Sequence, residues 1–344
     1  MVRKNTKSTN SPLSSVEIAL SMSQEKRSTV GFSFGGGIAS GRRVIVTRFL
    51  CPFVTTHAGI LVSPLGFGAS PLGGVFGPVN EEEGIRAVHK AWREGINFFD
   101  CSPYYGFTKA EKVLGLGLRD LPRESVVVAT KVGRYGPSEF DFSPSRIESS
   151  VKESMERLNV NYLDVVQCHD IEFGDLRQVV EESLPLLESL KRRGIIRAIG
   201  VTGLPLHIYD YVISNSKVKL DLVLSYCHGC LNDTSLVNIL PFLKENDLGV
   251  VNASPLSMGL LTIRGAPEWH PAPPELRSAA RKAAKVCEEH GVTCTLVGID
   301  GVKNLLKDID AVHKVIDQVL LQKVLEIFEP VHNITWFSGH KATE

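Results

Sequence analysis

The 344-residue sequence predicts an α/β protein folded as a closed (β/α)8 TIM barrel. From about residue 61, short apolar runs alternate with longer stretches that carry apolar residues at three- and four-residue spacing, which indicates a parallel sheet covered by helices. A doubly wound dinucleotide fold should show G-x-G-x-x-G after its first strand, whereas this sequence reads GFGASPLGG there. Eight strand–helix units over about 280 residues favour the barrel, which typically has about 250 residues.

Eight runs are predicted as strands because they are short, nearly continuous in apolar residues and rich in β-branched residues, as strands buried on both faces are. They are residues 60–67, 97–99, 126–129, 163–167, 195–201, 220–224, 248–252 and 295–297.

Amphipathic periodicity predicts the helices that separate these strands. They are residues 81–93, 110–118, 144–158, 176–193, 206–214, 235–246 and 274–290. Ser143 followed by Pro144 is a typical helix start. Gly95, Gly194 and Gly249 stand where helices are expected to end.

The sequence predicts an irregular N-terminal extension over residues 1–55 and the barrel over residues 56–344. The first fifty residues hold eight Lys and Arg, two acids and nine serines. Such composition is typical of an organelle transit peptide, but a disordered tail or a non-native leader has the same appearance.

Composition excludes several functional classes. Thirty-eight basic and 38 acidic residues give a formal net charge of zero, so nothing points to nucleic acid. No apolar run approaches the roughly 18 residues of a membrane helix. Seven scattered cysteines indicate a reducing compartment rather than a disulfide framework. Cys227 and Cys230 form a Cys-x-x-Cys pair, but a zinc site would need two further ligands at suitable spacing, and the sequence shows none. Two buried thiols are favoured over a redox pair.

The predicted active site lies at the carboxyl ends of the strands, as in other barrels of this type. Asp100 and Tyr105 follow the second strand, Lys131 ends the third, and His169 follows the fourth. A lysine lowers the pKa of a neighbouring tyrosine, and an aspartate can hold that lysine charged in a partly dry pocket. A histidine can donate a hydrogen bond to a substrate oxygen. The four residues therefore predict proton transfer by Tyr105.

These residues stand in motifs that resemble the aldo-keto reductase superfamily. The motifs are NFFDCSPYYG, ATKVGRYG, QCHDIEFG, IGVTGLPL, LSYCHG and ASPLSMGLL, and the resemblance runs from about Gly59 to Trp336. It implies a monomeric barrel that uses NAD(P) without a Rossmann fold. In it Tyr105 would be the acid/base, Lys131 would tune Tyr105, Asp100 would pair with Lys131, and His169 would orient the substrate.

Within the superfamily, GFGASPLGGVFGPV, CHDIEFG and PEWHPAPPEL resemble the branch of aldose dehydrogenases that acts on L-galactose. The implied reaction is NAD-dependent oxidation of L-galactose at C1 to L-galactono-1,4-lactone, a step of plant ascorbate synthesis. The expected location is the cytoplasm, or the chloroplast if residues 1–50 are a transit peptide. Two alternatives stay open: an L-fucose or D-threo-aldose 1-dehydrogenase, and a cofactor-impaired barrel without enzymatic activity.

The resemblance also implies contact residues, and it implies no metal. Thr202 would hold the nicotinamide carboxamide, and Ser254 and Leu256 would lie over the pyrophosphate. Expected sugar contacts, since carboxylates and an aromatic face suit a polyol, are Asp170, Glu172 and Trp269. Further cofactor contacts are Gly68, Gly298 and Asp300, and the carboxylate of Asp300 favours NAD over NADP.

The sequence departs from the family before and after the eighth strand. Only residues 292–297 separate Gly291 from Gly298, so about fifteen residues, roughly one helix of the outer ring, are missing. Lys307 and Asp308 replace a Glu-Asn pair that meets the adenosine in the family. These departures predict weakened cofactor binding. The gap itself is either a real loss of residues or an error of gene prediction.

Overall fold

A computed structural model describes residues 53–55, 59–262, 264–289, 299–313 and 315–339 of the chain. The predicted eighth strand at 295–297, residues 1–52 and Gly298 lie outside the described residues. Within the described part, no helix is long and apolar enough to cross a membrane.

Seven parallel strands form one sheet in sequential order, which confirms the prediction of a (β/α)8 barrel. Each strand pairs with its neighbours in the chain, and helices connect successive strands on the outside, as right-handed crossovers require. The strands are β3 (Phe67–Gly68), β4 (Phe98–Asp100), β5 (Val127–Val132), β6 (Leu163–Cys168), β7 (Ile196–Gly203), β8 (Leu222–Tyr226) and β9 (Gly249–Ala253).

The predicted first strand, 60–67, is two strands rather than one. Ile60–Val62 is β2 and pairs antiparallel with β1 (Phe53–Thr55), while Phe67–Gly68 begins the barrel. Pro64 interrupts the run because it has no N–H to donate. Ser63 there bonds instead to the side chain of Asn97. Ile60 packs among the inward-facing residues of the barrel, so this hairpin closes the interior at the end opposite the predicted site.

Helices lie between the strands close to their predicted positions. They are α1 (Glu81–Arg93), α2 (Lys109–Leu118), α3 (Pro144–Leu158), α4 (Leu176–Gln178 and Leu184–Arg192 about the π-helical Val179–Ser183), α5 (His207–Asn215), α6 (Leu236–Glu245), α7 (Pro274–Glu289), α8 (Val302–His313) and α9 (Gln318–Phe328). Gly95 and Gly194 have positive φ, as expected for residues that follow a helix. The expectation for Gly249 was wrong: Gly249 begins β9, and Asp247 is the left-handed residue after α6.

The alternation of side chains along each strand sorts them between two apolar layers. Phe98, Val127, Val165 and Leu222 fill the barrel interior, while the intervening residues pack under the helices. By the same alternation, Val127, Ala129 and Lys131 lie on the inward face of β5, with Lys131 nearest the carboxyl end. The interior is therefore apolar at its lower end and polar where the strands end.

Helix α7 does not cover the sheet. It packs against α9 around Leu276, Ala280, Val324 and Phe328, in a cluster separate from the main core. Helix α8, in contrast, packs against α1. Within the described residues, α7 is the only α-helix between β9 and Ile299, which agrees with the predicted gap in the outer helix ring.

Candidate active site

The Asp100, Lys131 and His169 side chains meet at the carboxyl ends of β4, β5 and β6. The Nζ of Lys131 donates to Asp100 Oδ1 and, over 2.8 Å, to the carbonyl oxygen of Cys101. Only 1% of Lys131 is exposed. Asp100 accepts a second hydrogen bond from Gln167 Nε2 at 3.1 Å. Although burial alone would lower it, the Asp100 carboxylate raises the pKa of Lys131 above its usual value, so the lysine stays charged.

Tyr105 lies beside this ion pair. The Lys131 Nζ is 5.0 Å from the centroid of the Tyr105 ring. Burial raises the pKa of Tyr105 to about 12, and the charge of Lys131 opposes that increase. Lys131 thus acts in the predicted direction, but in the free protein desolvation outweighs it.

Two glycines explain the position of the Tyr105 loop. Gly106 has φ of +61°, and a Cβ there would lie 2.1 Å from the carbonyl oxygen of Gly73. A Cβ on Gly73 would lie 2.6 Å from the carbonyl oxygen of Tyr105. The two backbones touch, so the turn after β3 supports the loop that carries Tyr105.

His169 faces Tyr105 from the end of β6. The two ring centroids are 5.7 Å apart with the planes nearly perpendicular. His169 N donates to the carbonyl oxygen of Val132 at 2.8 Å, and its Nδ1 lies 3.0 Å from Ser102 Oγ. Burial lowers the pKa of His169 to about 3, so the imidazole is neutral and can act only as a hydrogen-bonding group near pH 7.

Arg134, which no sequence motif singled out, is part of the same cluster. Its guanidinium forms an ion pair with Asp170 and lies 4.0 Å from the centroid of the Tyr104 ring. Arg134 stands three residues after Lys131 in the motif ATKVGRYG, in a loop at the mouth of the barrel. That loop position was the only sequence signal for it.

Asp170 and Thr202 are bound to each other. The N–H of Asp170 donates to Thr202 Oγ1 at 3.0 Å, and that hydroxyl donates to Asp170 Oδ1 at 3.2 Å. Asp170 also has φ of +49°, an uncommon value for a residue other than glycine that is often found at functional sites. The hydroxyl of Thr202 therefore binds Asp170, whereas the family resemblance assigns it to a carboxamide.

Glu172 and Trp269, the other expected sugar contacts, have different surroundings. Glu172 Oε1 accepts hydrogen bonds from Leu204 N at 3.0 Å and Ser338 Oγ at 2.8 Å, while its Oε2 has no partner in the part of the chain that the structure describes. Burial, together with the charge of Asp170, raises the pKa of Glu172 to about 7. Trp269 is half exposed, and its ring centroid lies 5.8 Å from that of Phe76 in the loop after β3.

The loop after β9 carries Ser254 and Leu256, the two residues that the family resemblance assigns to the cofactor pyrophosphate. Ser254, Ser257, Met258 and Gly259 all have positive φ, and the buried Leu256 lies among them. The N–H groups of Ser257 and Gly259 donate within the loop, to the carbonyl oxygens of Ser254 and Leu256. Gly68, the last residue of β3, pairs with Asp100 in the sheet, and its carbonyl oxygen accepts a hydrogen bond from Ile299 N at 3.5 Å.

Carboxylates surround the amino end of α8. Asp300 Oδ1 accepts from Asn304 Nδ2 at 2.7 Å, and Glu83 Oε1 accepts from Val302 N at 2.9 Å. Asp308 is 2% exposed, and neither of its carboxylate oxygens has a hydrogen-bond partner among the described residues. Burial and the charge of Asp300 raise the pKa of Asp308 to about 8.

Two other expectations concern thiols and metals. Cys227 and Cys230 are buried free thiols, and Cys230 Sγ lies 3.0 Å from the carbonyl oxygen of Cys227. Across the described ranges, no group of three or more His, Cys, Asp or Glu side chains could hold a metal ion.

Known proteins resemble this chain in sequence and in fold. It is 48% identical over 306 residues to L-galactose dehydrogenase of Arabidopsis thaliana, an alignment that covers 82% of this chain and 96% of that protein. It is 37% identical to D-arabinose 1-dehydrogenase of Saccharomyces cerevisiae (67% of this chain, 72% of that protein) and 30% identical to D-threo-aldose 1-dehydrogenase of a Pseudomonas species (68% and 80%). A solved aldo-keto reductase of Bacillus halodurans, in its holo form, superposes with a TM-score of 0.62 at 22% identity, over 82% of this chain and 96% of that one.

The aldo/keto reductase family model matches residues 64–300, a range that holds all four residues of the Asp100, Tyr105, Lys131 and His169 cluster. With the parallel barrel and the relatives above, this match shows that the chain belongs to the aldo/keto reductase family and is an oxidoreductase.

Proposed function

We propose that this protein is an NAD-dependent L-galactose 1-dehydrogenase that forms L-galactono-1,4-lactone. The observation that carries the proposal is the buried Lys131–Asp100 pair beside Tyr105, with neutral His169 facing the same ring. The 48% identity to an L-galactose dehydrogenase selects the substrate. We further propose that the protein acts as a cytoplasmic monomer in plant ascorbate synthesis.

The four residues divide the chemistry between them. A bound nicotinamide cofactor supplies the acceptor for the hydride that leaves C1 of the sugar. Tyr105 accepts the proton of the C1 hydroxyl, and the charge of Lys131 stabilises the phenolate form that this step requires. Asp100 and the carbonyl oxygen of Cys101 keep Lys131 charged and in place. His169 donates a hydrogen bond to the reacting oxygen and so fixes the position of C1.

The charges near α8 support NAD rather than NADP. Asp300 and Glu83 both place a carboxylate at the amino end of this helix. A helix amino end ordinarily attracts a phosphate, but two carboxylates there repel the 2′-phosphate of NADP. Hydroxyl groups of an unphosphorylated ribose can instead donate to Asp300.

The 37% and 30% identical relatives favour one alternative, an aldose 1-dehydrogenase for a sugar such as D-arabinose, L-fucose or a D-threo-aldose. A barrel without activity is the other alternative, and the unpartnered Asp308 beside the proposed adenosine region is its main support. The complete cluster around Lys131 argues against it, because a non-enzymatic protein has no chemical need for all four groups.

The test is NADH formation, followed by absorbance, when the purified full chain is mixed with NAD+ and L-galactose. We expect turnover with L-galactose that exceeds turnover with L-fucose and D-arabinose, and weaker activity with NADP+. Tyr105→Phe should abolish turnover, while Tyr211→Phe, a change at a partly exposed tyrosine on α5, should not. Preference for another aldose would select the first alternative. No turnover of any sugar by a protein shown to be folded by circular dichroism would select the second.

A further inference from the structure

We propose that Ser102 is a positioning residue that holds His169 in the tautomer with its proton on Nε2. Ser102 lies just beyond β4 and is fully buried, and its Oγ is 3.0 Å from His169 Nδ1. The contact joins the loops after β4 and β6, which are 67 residues apart in the chain. The proposal rests on the proposed function in one respect: the proposed reaction supplies the substrate oxygen to which Nε2 donates.

The hydrogen bonds of Ser102 leave one place for its proton. Its Oγ accepts a hydrogen bond from Tyr104 N at 3.1 Å. A serine hydroxyl has a single proton, and His169 Nδ1 is its only acceptor among the residues that the structure describes. If Nδ1 carried a proton of its own, the hydroxyl proton of Ser102 would be buried without a partner, which is costly. Nδ1 is therefore the acceptor.

The other side of the imidazole favours the same tautomer. Asp170 Oδ2 lies 3.5 Å from His169 Nε2, and Arg134 and Thr202 hold that carboxylate in place. A negative oxygen attracts an N–H group and repels a nitrogen lone pair. Burial keeps His169 neutral, with a pKa of about 3, so the ring carries one proton and Nε2 holds it.

This tautomer divides the roles of His169 and Tyr105. A protonated Nε2 presents a hydrogen-bond donor and cannot accept a proton. His169 can then orient the reacting oxygen, while the transferred proton goes to Tyr105. Without Ser102 the ring could adopt the opposite tautomer, with a lone pair directed at the substrate oxygen.

Nuclear magnetic resonance of the full chain, labelled with ¹⁵N at histidine and free of cofactor and sugar, tests the tautomer. The sequence has ten histidines, and His169→Asn identifies the signal of His169. We expect pyridine-like Nδ1 and pyrrole-like Nε2 shifts in the wild type, and a mixture of tautomers in Ser102→Ala. Ser183→Ala is the matched control, because Ser183 is equally buried but donates to the carbonyl oxygen of Phe142. A proton on Nδ1 in the wild type, or an unchanged tautomer in Ser102→Ala, would overturn the proposal.

Kinetics with L-galactose and NAD+ provide the second measurement. Ser102→Ala should lower kcat about tenfold with little change in KM, the size of effect expected for one lost hydrogen bond to a catalytic group. Ser102→Thr, which keeps a hydroxyl, should restore most of kcat and the wild-type tautomer. An equal fall in both variants with the tautomer intact would show that Ser102 only packs, and would overturn the proposal. Absence of turnover in the wild type would count against the proposed function alone, since the tautomer is measured without substrate.

Discussion

Tyr105 and Lys131 show how two opposing effects set the acidity of one group. Burial disfavours the phenolate, and the lysine charge favours it. Burial wins in the free protein, so the pKa of Tyr105 is about 12 rather than 10. A base with so high a pKa is mostly protonated at neutral pH, and its ionised fraction grows about tenfold per pH unit.

This balance predicts a pH dependence for sugar oxidation. In the wild type, kcat/KM should rise with pH above neutrality as Tyr105 ionises. Lys131→Met removes the charge that lowers the pKa of Tyr105, so it should move this rise to higher pH. It should also reduce kcat/KM at pH 8 by about a hundredfold or more.

Steady-state rates from pH 6 to pH 10 would check this prediction. Lys112→Met, at an exposed position on α2, is the matched control and should leave the profile unchanged. If Lys131→Met kept the wild-type profile at a uniformly lower rate, Lys131 would contribute through position and not through its charge.

At the same scale, the sequence predicted some residues of the cluster and missed others. Asp100, Lys131 and His169 could be predicted because each stands at the end of an apolar run, where a barrel has its mouth. Arg134, Ser102 and Gln167 could not, because their meaning depends on partners 36 to 67 residues away in the chain. A lone serine or arginine in a loop has no periodicity that reveals such a partner.

Among the elements, the short loop after β4 depends on backbone contact more than on side chains. Gly106 and Gly194 both have positive φ, +61° and +75°. A Cβ on Gly106 would meet the Gly73 backbone at 2.1 Å, whereas a Cβ on Gly194 would meet nothing within 4 Å. The first glycine is required by its neighbour, and the second only by its own conformation.

The contrast predicts different results for two alanine variants. Gly106→Ala should displace the Tyr105 loop and lower kcat at least tenfold, because Tyr105 moves away from Lys131 and His169. Gly194→Ala should reduce the free energy of unfolding by about 1 to 2 kcal/mol, the cost of positive φ, without loss of activity. Denaturant unfolding and steady-state rates on both proteins would check this. Normal activity in Gly106→Ala would show that the loop tolerates the displacement.

The elements also show where sequence patterns succeed and fail. Helices α1 and α3 were predicted to the residue because both have strong periodicity, and Ser143 followed by Pro144 marks the start of α3. The run from residue 60 to 67 was predicted as one strand because its apolar residues hide the break at Pro64. Helix α7 was recognised as a helix, but periodicity does not reveal which surface an apolar face meets. Its partner, α9, follows some 30 residues later.

On the scale of the whole molecule, two buried carboxyl groups make the fold sensitive to pH. The pKa of Asp308 is about 8, mainly through burial, and the pKa of Glu172 is about 7 for the same reason. Unfolded, both groups would titrate near pH 4. Between these values the folded chain holds protons that the unfolded chain has released, so the free energy of unfolding falls as pH rises. His169 has the opposite effect. Because burial lowers its pKa to about 3, the free energy of unfolding rises with pH up to the unfolded pKa of histidine, near 6.5.

Between pH 6.5 and pH 8 these two carboxyl groups therefore make the largest contribution to the pH dependence of stability. We expect the wild type to lose about 2 kcal/mol of unfolding free energy across this range, since one proton difference is worth about 1.4 kcal/mol per pH unit. Asp308→Asn should remove most of this loss, because the folded-state pKa of Asp308 is about 8 and its contribution extends to that pH. Glu172→Gln should remove the smaller contribution that ends near pH 7. Urea unfolding at both pH values would measure the slopes, with Asp120→Asn, at an exposed carboxylate, as the control. A wild type equally stable at pH 6.5 and pH 8 would mean that both carboxylates ionise freely in the folded chain. Asp308 would then no longer support the alternative of a barrel that cannot bind its cofactor near α8.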